Sequence, residues 1–164
     1  MIPPARLLPR LFLVLAIALT IGCDRVTKHV ATLALAGAEP RSYLADTVRI
    51  IYAENTGGFL SAGANLSPTV KTLFFTVATG LALVALALLA VRRTWNGLAA
   101  LGLALFLAGG VSNWYDRIAH GHVVDFLNLG IGPVRTGIFN VADVAIMGGL
   151  VLFMLAELRG RTPA

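Results

Sequence analysis

The stretch TLFFTVATGLALVALALLAV, residues 72–91, contains 20 residues and no charged side chain. A helix of this length rises about 30 Å at roughly 1.5 Å per residue, which matches the thickness of the hydrocarbon core of a bilayer. Two other stretches have the same character: residues 94–115 carry no charge over 22 positions, and residues 136–156 carry only Asp143 over 21 positions. These runs predict helices that cross a membrane.

A shorter apolar run near the N-terminus predicts one more span. Its uncharged part, residues 11–23, has 13 residues or about 20 Å of helix, so a crossing helix must include Asp24, Arg25 and Lys28. Ionisable groups at such a depth are costly and are usually functional or paired. The predicted fold is an α-helical integral membrane protein with four transmembrane helices, at about residues 8–28, 70–91, 95–115 and 138–157.

The composition agrees with this fold. Of the 164 residues, 57% are hydrophobic and 13% are charged, which is half the roughly 25% charge of a soluble domain. We expect one membrane domain that covers residues 1–164. The net charge of +5 would suit a protein that binds nucleic acid, but the sequence has no basic block, so no nucleic-acid partner is expected.

The distribution of basic residues predicts the orientation in the membrane. Short segments on one face are dense in arginine, whereas the opposite face spreads its basic residues over two longer segments, about residues 29–69 and 116–137. The positive-inside rule makes the first face cytoplasmic, with both termini inside. The arginines that carry this argument are Arg6, Arg10, Arg92, Arg93, Arg159 and Arg161.

The two longer segments are predicted to fold outside the cytoplasm. Residues 47–52 and 122–127 are rich in β-branched and aromatic side chains, as strands are. We therefore expect a small extracytoplasmic β-rich element that lies against the membrane.

Four aspartates near the predicted outer ends of the spans are candidates for a function, because membranes rarely hold carboxylates without one. Asp24 and Asp116 have basic neighbours in sequence, namely Arg25, Lys28 and Arg117, and these can serve as counter-ions. Asp24 and Asp116 are therefore interpreted as paired structural charges. Asp125 and Asp143 have no cation within several residues.

A cation-free pair of carboxylates suits acid–base chemistry. If the fourth helix begins near Ile138, Asp143 lies about 7 Å inside it, and Asn140 shares its face. Desolvation and a neighbouring carboxylate raise the pKa of such a group, so Asp125 and Asp143 can share one proton, as the pair of an aspartic protease does. The alternative from the residues alone is a structural hydrogen bond or a proton relay through Asp143.

Other chemistries have less support in the sequence. A small proton-coupled transporter or channel would use Asp143 along a polar path, but the polar residues cluster at one end of the spans. A serine–lysine dyad would need one of the two lysines, Lys28 or Lys71, together with Ser61 or Ser112, and no spacing between them supports it. A metal site would need His120 and His122, without any HExxH motif.

The single cysteine, Cys23, supports one further alternative. It excludes an intramolecular disulfide, and it ends a segment that resembles a bacterial lipoprotein signal. Position 20 is Thr where such signals usually have Leu, and three more spans follow. We therefore interpret Cys23 as a helix residue.

Five short motifs, in order along the chain, resemble those of lipoprotein signal peptidase, also called signal peptidase II. Each motif is short, but their order between the predicted spans makes the resemblance specific, and it covers about residues 11–158. They are Asp24-Arg-Val-Thr-Lys28, Asn55-Thr-Gly-Gly-Phe59, Gly109-Gly-Val-Ser-Asn-Trp-Tyr-Asp-Arg117, Val123-Val-Asp-Phe126 and Phe139-Asn-Val-Ala-Asp143.

The resemblance implies an aspartic endopeptidase of the bacterial inner membrane with its active site facing the periplasm or the outside. Its substrate would be a diacylglyceryl-modified prolipoprotein, cut just before the lipidated cysteine. We expect a monomer in contact with membrane lipid, with no cofactor and no metal. By motif matching, the catalytic aspartates are Asp125 and Asp143, and the supporting residues are Asp24, Lys28, Asn55, Gly57, Asn113, Asp116, Arg117 and Asn140. One departure concerns the second motif, in which a single residue, Gly58, separates Gly57 from Phe59, where family members commonly have two.

Overall fold

Four helices and a small sheet make up the computed structural model, which describes residues 4–58 and 62–160. The elements, in chain order, are α1 (Pro4–Leu35), β1 (Arg41–Tyr43), β2 (Val48–Asn55), α2 (Pro68–Arg92), α3 (Gly97–His120), β3 (Val123–Ile131), β4 (Val134–Arg135) and α4 (Val141–Gly160).

Three helices in the described part of the chain are long and apolar enough to cross a membrane: α2, α3 and the segment Val141–Arg159 of α4. They match three of the four predicted spans. The first helix, α1, has 32 residues and is not among the three; it carries Asp24, Arg25 and Lys28 in its second half. The fourth crossing, by α1, stays a prediction.

The predicted β-rich element is a four-stranded antiparallel sheet in the order β1-β2-β3-β4. Both segments that were expected to form strands lie in it, as β2 and β3. A bulge between Ile50 and Ala53 shifts the β2 register, so that Ala53 pairs with Asp125 and Asn55 with Val123. The end of β2 thereby comes to lie beside the first half of β3.

The C-terminal part of α1 packs under this sheet. Phe126 of β3 is buried against Ala31 and Leu35 of α1. Because side chains alternate across a strand, the neighbouring Asp125 points to the opposite face from Phe126. Helix α1 therefore continues to Leu35, beyond the predicted end of the first span at residue 28, and its last two turns support β3.

Helices α3 and α4 pack closely through glycines. A Cβ atom at Gly102 would lie 2.7 Å from the Gly149 carbonyl oxygen, and one at Gly149 would lie 2.5 Å from the Gly102 carbonyl oxygen. Small residues at such crossings let two backbones approach each other. The close approach continues at Gly109, which faces Ala142, and it places the C-terminal half of α3 against the first turn of α4.

Helix α2 contains a π-helical segment, Thr72–Ala78. A π-helical turn disturbs the regular hydrogen bonds of a helix and frees carbonyl groups for other donors. Here the Trp114 indole of α3 donates to the Thr76 carbonyl at 2.7 Å, and its ring packs on Gly80. The wide turn therefore fixes α2 to α3 near the sheet.

Candidate active site

Asp125 is positioned by backbone pairing on both sides of β3. On one side it pairs with Ala53 of β2. On the other, the Phe139 carbonyl accepts hydrogen bonds from the Phe126 and Leu127 amides at 3.1 and 2.9 Å, and the Phe139 amide donates to Leu127 at 2.8 Å. This bridge brings the residue after Phe139, which is Asn140, to the side of Asp125.

Asn140 and Asp143 form a reciprocal cap at the start of α4. The Asp143 amide donates to the Asn140 side-chain oxygen at 2.9 Å, and the Asn140 amide donates to an Asp143 carboxylate oxygen at 3.2 Å. Such a capping box satisfies two amides that a helix start leaves without partners. The helix begins at Val141 rather than near Ile138, so the expectation that Asp143 lies about 7 Å inside α4 was wrong.

Side-chain amides, and not cations, donate hydrogen bonds to the two carboxylates of this pair. Asp125 accepts hydrogen bonds from Asn140 at 2.6 Å and from Asn55 at 2.9 Å. Asp143 accepts one from Asn113 at 2.9 Å. In the described ranges, 4–58 and 62–160, no ion pair involves either carboxylate. The pair is held in place by neutral donors.

Asp125 has an unusual acidity. Its residue surface is 1% exposed, and this burial raises its pKa from the ordinary 3.8 to about 6. The hydrogen bond from Asn55 opposes the rise in pKa, and the negative charge of Asp143 adds to it. A carboxyl group with such a pKa can hold or release a proton near neutral pH, as general acid–base catalysis requires.

A second group of carboxylates lies next to the first and has cations as partners. The Lys28 ammonium contacts Asp24 and Asp116, both at 2.7 Å, and Arg25 also pairs with Asp116. Asp24 further accepts hydrogen bonds from Ser112 at 2.6 Å and from the Ala142 amide at 2.9 Å. This ion-pair cluster joins α1, α3 and the start of α4.

The structure agrees with the division of the aspartates by their neighbours but corrects one partner. Arg117 follows Asp116 in sequence and was expected as its counter-ion. Its guanidinium instead donates to the Gly57 carbonyl at 2.6 and 3.2 Å and to the Asn113 carbonyl at 3.2 Å. Successive residues on a helix point in different directions, so Arg117 reaches the loop after β2 while Asp116 reaches α1.

One side chain connects the two groups of carboxylates. The Asn113 side-chain oxygen accepts from Lys28 at 2.7 Å and from Asn140 at 3.2 Å, while its amide nitrogen donates to Asp143. The lysine therefore fixes which way the Asn113 amide points. Through Asn113 the ion-pair cluster orients a donor toward Asp143.

The loop after β2 is tied to the same site. The Asn55 side-chain oxygen accepts from the Gly57 amide at 2.9 Å, and its nitrogen donates to the Gly58 carbonyl at 3.0 Å as well as to Asp125. All the sequence-predicted site residues thus belong to one polar network. The register of Phe59 and the candidate nucleophile Ser61 lie outside the described residues.

Sequence reasoning missed two members of this network. Ser112 binds Asp24, and Arg25 pairs with Asp116 rather than only flanking Asp24. The signal for Ser112 was its position one turn before Asp116, on the same helix face. For Arg25, no signal was available, because its partner is 91 residues away.

The residues of the alternative metal and serine–lysine sites have other surroundings in the described part of the chain. Among those residues, no group of three or more His, Cys, Asp or Glu side chains is placed to hold a metal ion. His120 and His122 have side chains that are 55% and 25% exposed, as expected of residues at a polar surface. Lys28 contacts carboxylates and Lys71 donates to Thr56. Ser112, the described serine candidate, donates to Asp24 rather than pairing with a lysine.

Comparison with known proteins identifies relatives over most of the chain. The family model described as signal peptidase (SPase) II matches residues 16–159. A lipoprotein signal peptidase of Borrelia turicatae (strain 91E135) is 37% identical over 127 residues, which are 74% of each protein. A lipoprotein signal peptidase of Mycobacterium tuberculosis (strain ATCC 25618 / H37Rv) is 34% identical over 163 residues, 96% of this chain and 75% of that protein.

The fold is also similar to solved structures. A bacterial membrane enzyme determined by the in meso method at 2.3 Å superposes with a TM-score of 0.78 at 25% identity, covering 93% of both chains. A second one, at 1.9 Å, gives a TM-score of 0.76 at 25% identity, over 90% of this chain and 93% of the other.

Proposed function

The chain belongs to the signal peptidase II family, a family of bacterial membrane peptidases that cleave the signal peptides of prolipoproteins, and we propose that it cleaves them as an aspartic endopeptidase. Asp125 and Asp143 are the proposed catalytic pair. The observation that carries this proposal is that Asn140 donates to both carboxylates, to Asp125 from its side chain and to Asp143 from its backbone amide. Both carboxylates are buried and have no cation partner within the described ranges.

The proposed reaction uses one shared proton. The ionised member of the pair takes a proton from a water molecule as that water attacks the scissile carbonyl. The protonated member donates a hydrogen bond to the carbonyl oxygen and stabilises the charge that develops there. The proton then passes to the leaving amine, and the pair returns to its starting state.

The supporting residues act in two ways in this proposal. Asn55, Asn113 and Asn140 orient the carboxylates, so that the water and the carbonyl meet them in a fixed geometry. Arg117 holds the Gly57 carbonyl, which keeps the loop after β2 beside the site. Gly57 itself supplies the amide that fixes the Asn55 side chain.

The proposed substrate carries a diacylglyceryl group on the cysteine that follows the cleavage site. Asp143 lies in the first turn of a membrane-spanning helix, a depth at which a lipid-anchored cysteine would lie. Each buried CH₂ contributes about 0.8 kcal/mol, so acyl chains can supply much of the affinity. The proposed unit is a monomer in contact with lipid.

The active site is proposed to face the periplasm or the outside, with both termini in the cytoplasm of a bacterial inner-membrane protein. Arg92 and Arg93, at the end of α2, support this orientation. Arg161, which was predicted to lie on the same face, is outside the described residues. In a chain without Cys23, a cysteine at Thr94 should be protected from an impermeant reagent in intact cells. A cysteine at Val134 should react, and the reverse pattern would invert the topology.

Cleavage of a purified substrate tests the function directly. The protein in detergent is incubated with a prolipoprotein bearing the diacylglyceryl group, and a gel reports release of the signal peptide. The same prolipoprotein without the lipid is the control, and we expect it to be cut much more slowly. Equal cleavage of both forms would contradict the lipid requirement, and cleavage of neither would contradict the peptidase assignment.

A further inference from the structure

A cleft at the end of the helices opposite the aspartates has features that the proposed reaction does not use. It lies between α2, α3 and α4 and contains about 680 Å³ of space, including its open mouth. The Leu and Phe side chains that line it come from all three helices: Leu86, Leu89, Leu103, Phe106, Leu150 and Phe153. Its interior is therefore apolar.

The cleft lies where the packing of α2 differs from that near the sheet. Near the sheet, Gly80 and Gly110 let α2 approach α3 closely, since Cβ atoms there would lie 2.7 Å from Trp114 and from Leu83. At the opposite end the residues that face the cleft are leucine and phenylalanine, which are too large for such an approach. The gap between these helices opens toward the hydrocarbon of the bilayer, where an acyl chain is the available filler.

The mouth of the cleft has the chemistry of a membrane interface. Arg93 and Trp95 form it, and the Trp95 ring packs edge-on against Phe153 with their centroids 5.4 Å apart. The Trp95 indole donates to the Ala90 carbonyl at 3.0 Å, which fixes the ring at the end of α2. Tryptophan prefers the headgroup level of a membrane, so the mouth lies at that level.

Arg93 supplies a positive charge at this mouth. It is exposed, its backbone leaves the helix in an extended conformation, and none of the ion pairs within residues 4–58 and 62–160 involves it. A guanidinium at the headgroup level attracts phosphate and forms bidentate hydrogen bonds with it. An anionic phospholipid has a negatively charged headgroup, which suits the cation, and apolar acyl chains, which suit the cleft below it.

We propose that this cleft binds one anionic phospholipid, with an acyl chain between α2, α3 and α4 and the headgroup phosphate on Arg93. The lipid would join α2 to the closely packed pair of α3 and α4, at the end of α2 where leucine and phenylalanine side chains line the cleft. The site is separate from the catalytic pair and does not depend on the proposed mechanism.

Fluorescence quenching by brominated lipids tests the proposal. The chain has two tryptophans, so Trp114→Phe leaves Trp95 as the only reporter. The variant is placed in phosphatidylcholine vesicles that contain a brominated phosphatidylglycerol or a brominated phosphatidylcholine. We expect half-quenching at an about fivefold lower mole fraction of the anionic lipid, the preference that one arginine near a membrane surface provides.

Two matched variants separate the cleft from general surface charge. Arg93→Gln should abolish the preference, whereas Arg92→Gln, which removes the neighbouring charge outside the cleft, should leave it. Equal quenching by both lipids, or equal loss in both variants, would overturn the proposal. Protection of Trp95 from quenching that disappears when the protein is diluted in the bilayer would also overturn the proposal. A second copy of the chain, and not a lipid, would then fill the cleft.

A second measurement covers the case in which Trp114→Phe does not fold. The quenching of the unmodified chain minus that of Trp95→Phe isolates the Trp95 signal without changing Trp114. The same lipid preference is expected in this difference, and its absence would count against the site.

Discussion

Two pairs of aspartates lie side by side in this protein and have opposite surroundings. Asp24 and Asp116 are neutralised by Lys28 and Arg25, whereas Asp125 and Asp143 receive hydrogen bonds from asparagine amides. All four residues are at most 8% exposed. Burial alone therefore does not distinguish them, and the chemistry of the partners does.

The difference explains how one site can contain both fixed and exchangeable charges. The Lys28 ammonium lies 2.7 Å from both Asp24 and Asp116, so these two carboxylates are suited to hold helices together. A neutral amide fixes the position of a carboxylate without supplying a counter-charge. Asp125 keeps its raised pKa of about 6 because burial and the charge of Asp143 outweigh the two amide donors and the charge of Lys28.

The strongest test of the comparison removes one proton-transferring group at a time. Asp125→Asn and Asp143→Asn should each lower the cleavage rate by about 10³-fold or more, since general acid–base groups contribute about 10² to 10⁴ each. The double variant should be scarcely slower than either single one, because the two groups act as a unit. Single-turnover cleavage of the diacylglyceryl substrate at equal folded concentration measures these rates.

Asp46→Asn is the matched control for this substitution. Asp46 pairs with Arg49 on the exposed side of the sheet, away from the network of the site. We expect its cleavage rate to stay within about twofold of the unmodified protein. Near-normal turnover by Asp125→Asn or Asp143→Asn would remove that residue from the mechanism.

The next test replaces the Asn140 side chain, which donates to the Asp125 carboxylate and accepts from the Asp143 backbone amide. Asn140→Asp keeps an oxygen that can cap α4, because aspartate caps helices as well as asparagine does. It removes the donor to Asp125 and adds a third negative charge between the two carboxylates. We expect the cleavage rate of the folded fraction to fall by about 10²-fold. Thermal stability should fall as well, because Asn140 is buried and a third carboxylate there has no cation partner.

Asn96→Asp provides the control, because Asn96 caps α3 at the opposite end of the molecule. The same chemical change there should leave the cleavage rate unaltered. If Asn140→Asp were as active as this control, neutral donors would not be required, and the distinction between the two pairs would lose its meaning.

The raised pKa of Asp125 predicts how the cleavage rate depends on pH. Its pKa of about 6 applies to the loss of its proton beside an ionised Asp143, since that charge is one of the causes of the rise. Above this pH both members are ionised and the shared proton is gone. We therefore expect kcat/KM to fall as pH rises through about 6, by about tenfold per unit beyond it.

The profile of kcat should have its alkaline limb at a higher pH than that of kcat/KM. Substrate excludes more water from the pair, and desolvation favours the protonated carboxyl group. Initial rates at saturating and at limiting substrate between pH 5 and pH 9 measure both profiles. A rate that rises steadily through this range would contradict a shared proton.

Much of this arrangement could be read from the sequence, and the reason differs between its parts. Helices α2, α3 and α4 follow from apolar runs that need no partner for their recognition. The sorting of Asp24 from Asp143 followed from the presence or absence of neighbouring cations. Local patterns of this kind survive folding because they depend on residues within one or two turns.

The errors concern contacts between distant segments. Arg117 was paired with Asp116 because they are adjacent, yet it reaches Gly57, which is 60 residues away. The start of α4 was placed too early, because Phe139 looks like a helix residue but pairs with Leu127 of β3. That bridge is what brings Asn140 to Asp125. The geometry of the site therefore depends on tertiary pairing, which spacing along the chain does not encode.

The smallest effect on turnover is expected from the ion-pair cluster. Asp116→Asn leaves Lys28 and Arg25 with one carboxylate fewer, and removal of one partner from a buried pair costs about 3 kcal/mol or more. The carboxylates of Asp125 and Asp143 remain, so the cleavage rate of the folded fraction should fall by less than about tenfold. Thermal unfolding in detergent, together with rates corrected for the folded fraction, separates the two effects.

A second substitution distinguishes a structural charge from a catalytic one. Arg25→Met in the Asp116→Asn background removes the cation that the first change left without its partner, so part of the lost stability should return. No such recovery is possible for a group that transfers protons, because a change of partner cannot restore the missing carboxyl group. If Asp116→Asn were folded and bound substrate normally, yet were as inactive as Asp125→Asn, then Asp116 would belong with the proton-transferring pair. The partners of a buried carboxylate would then not reveal its role.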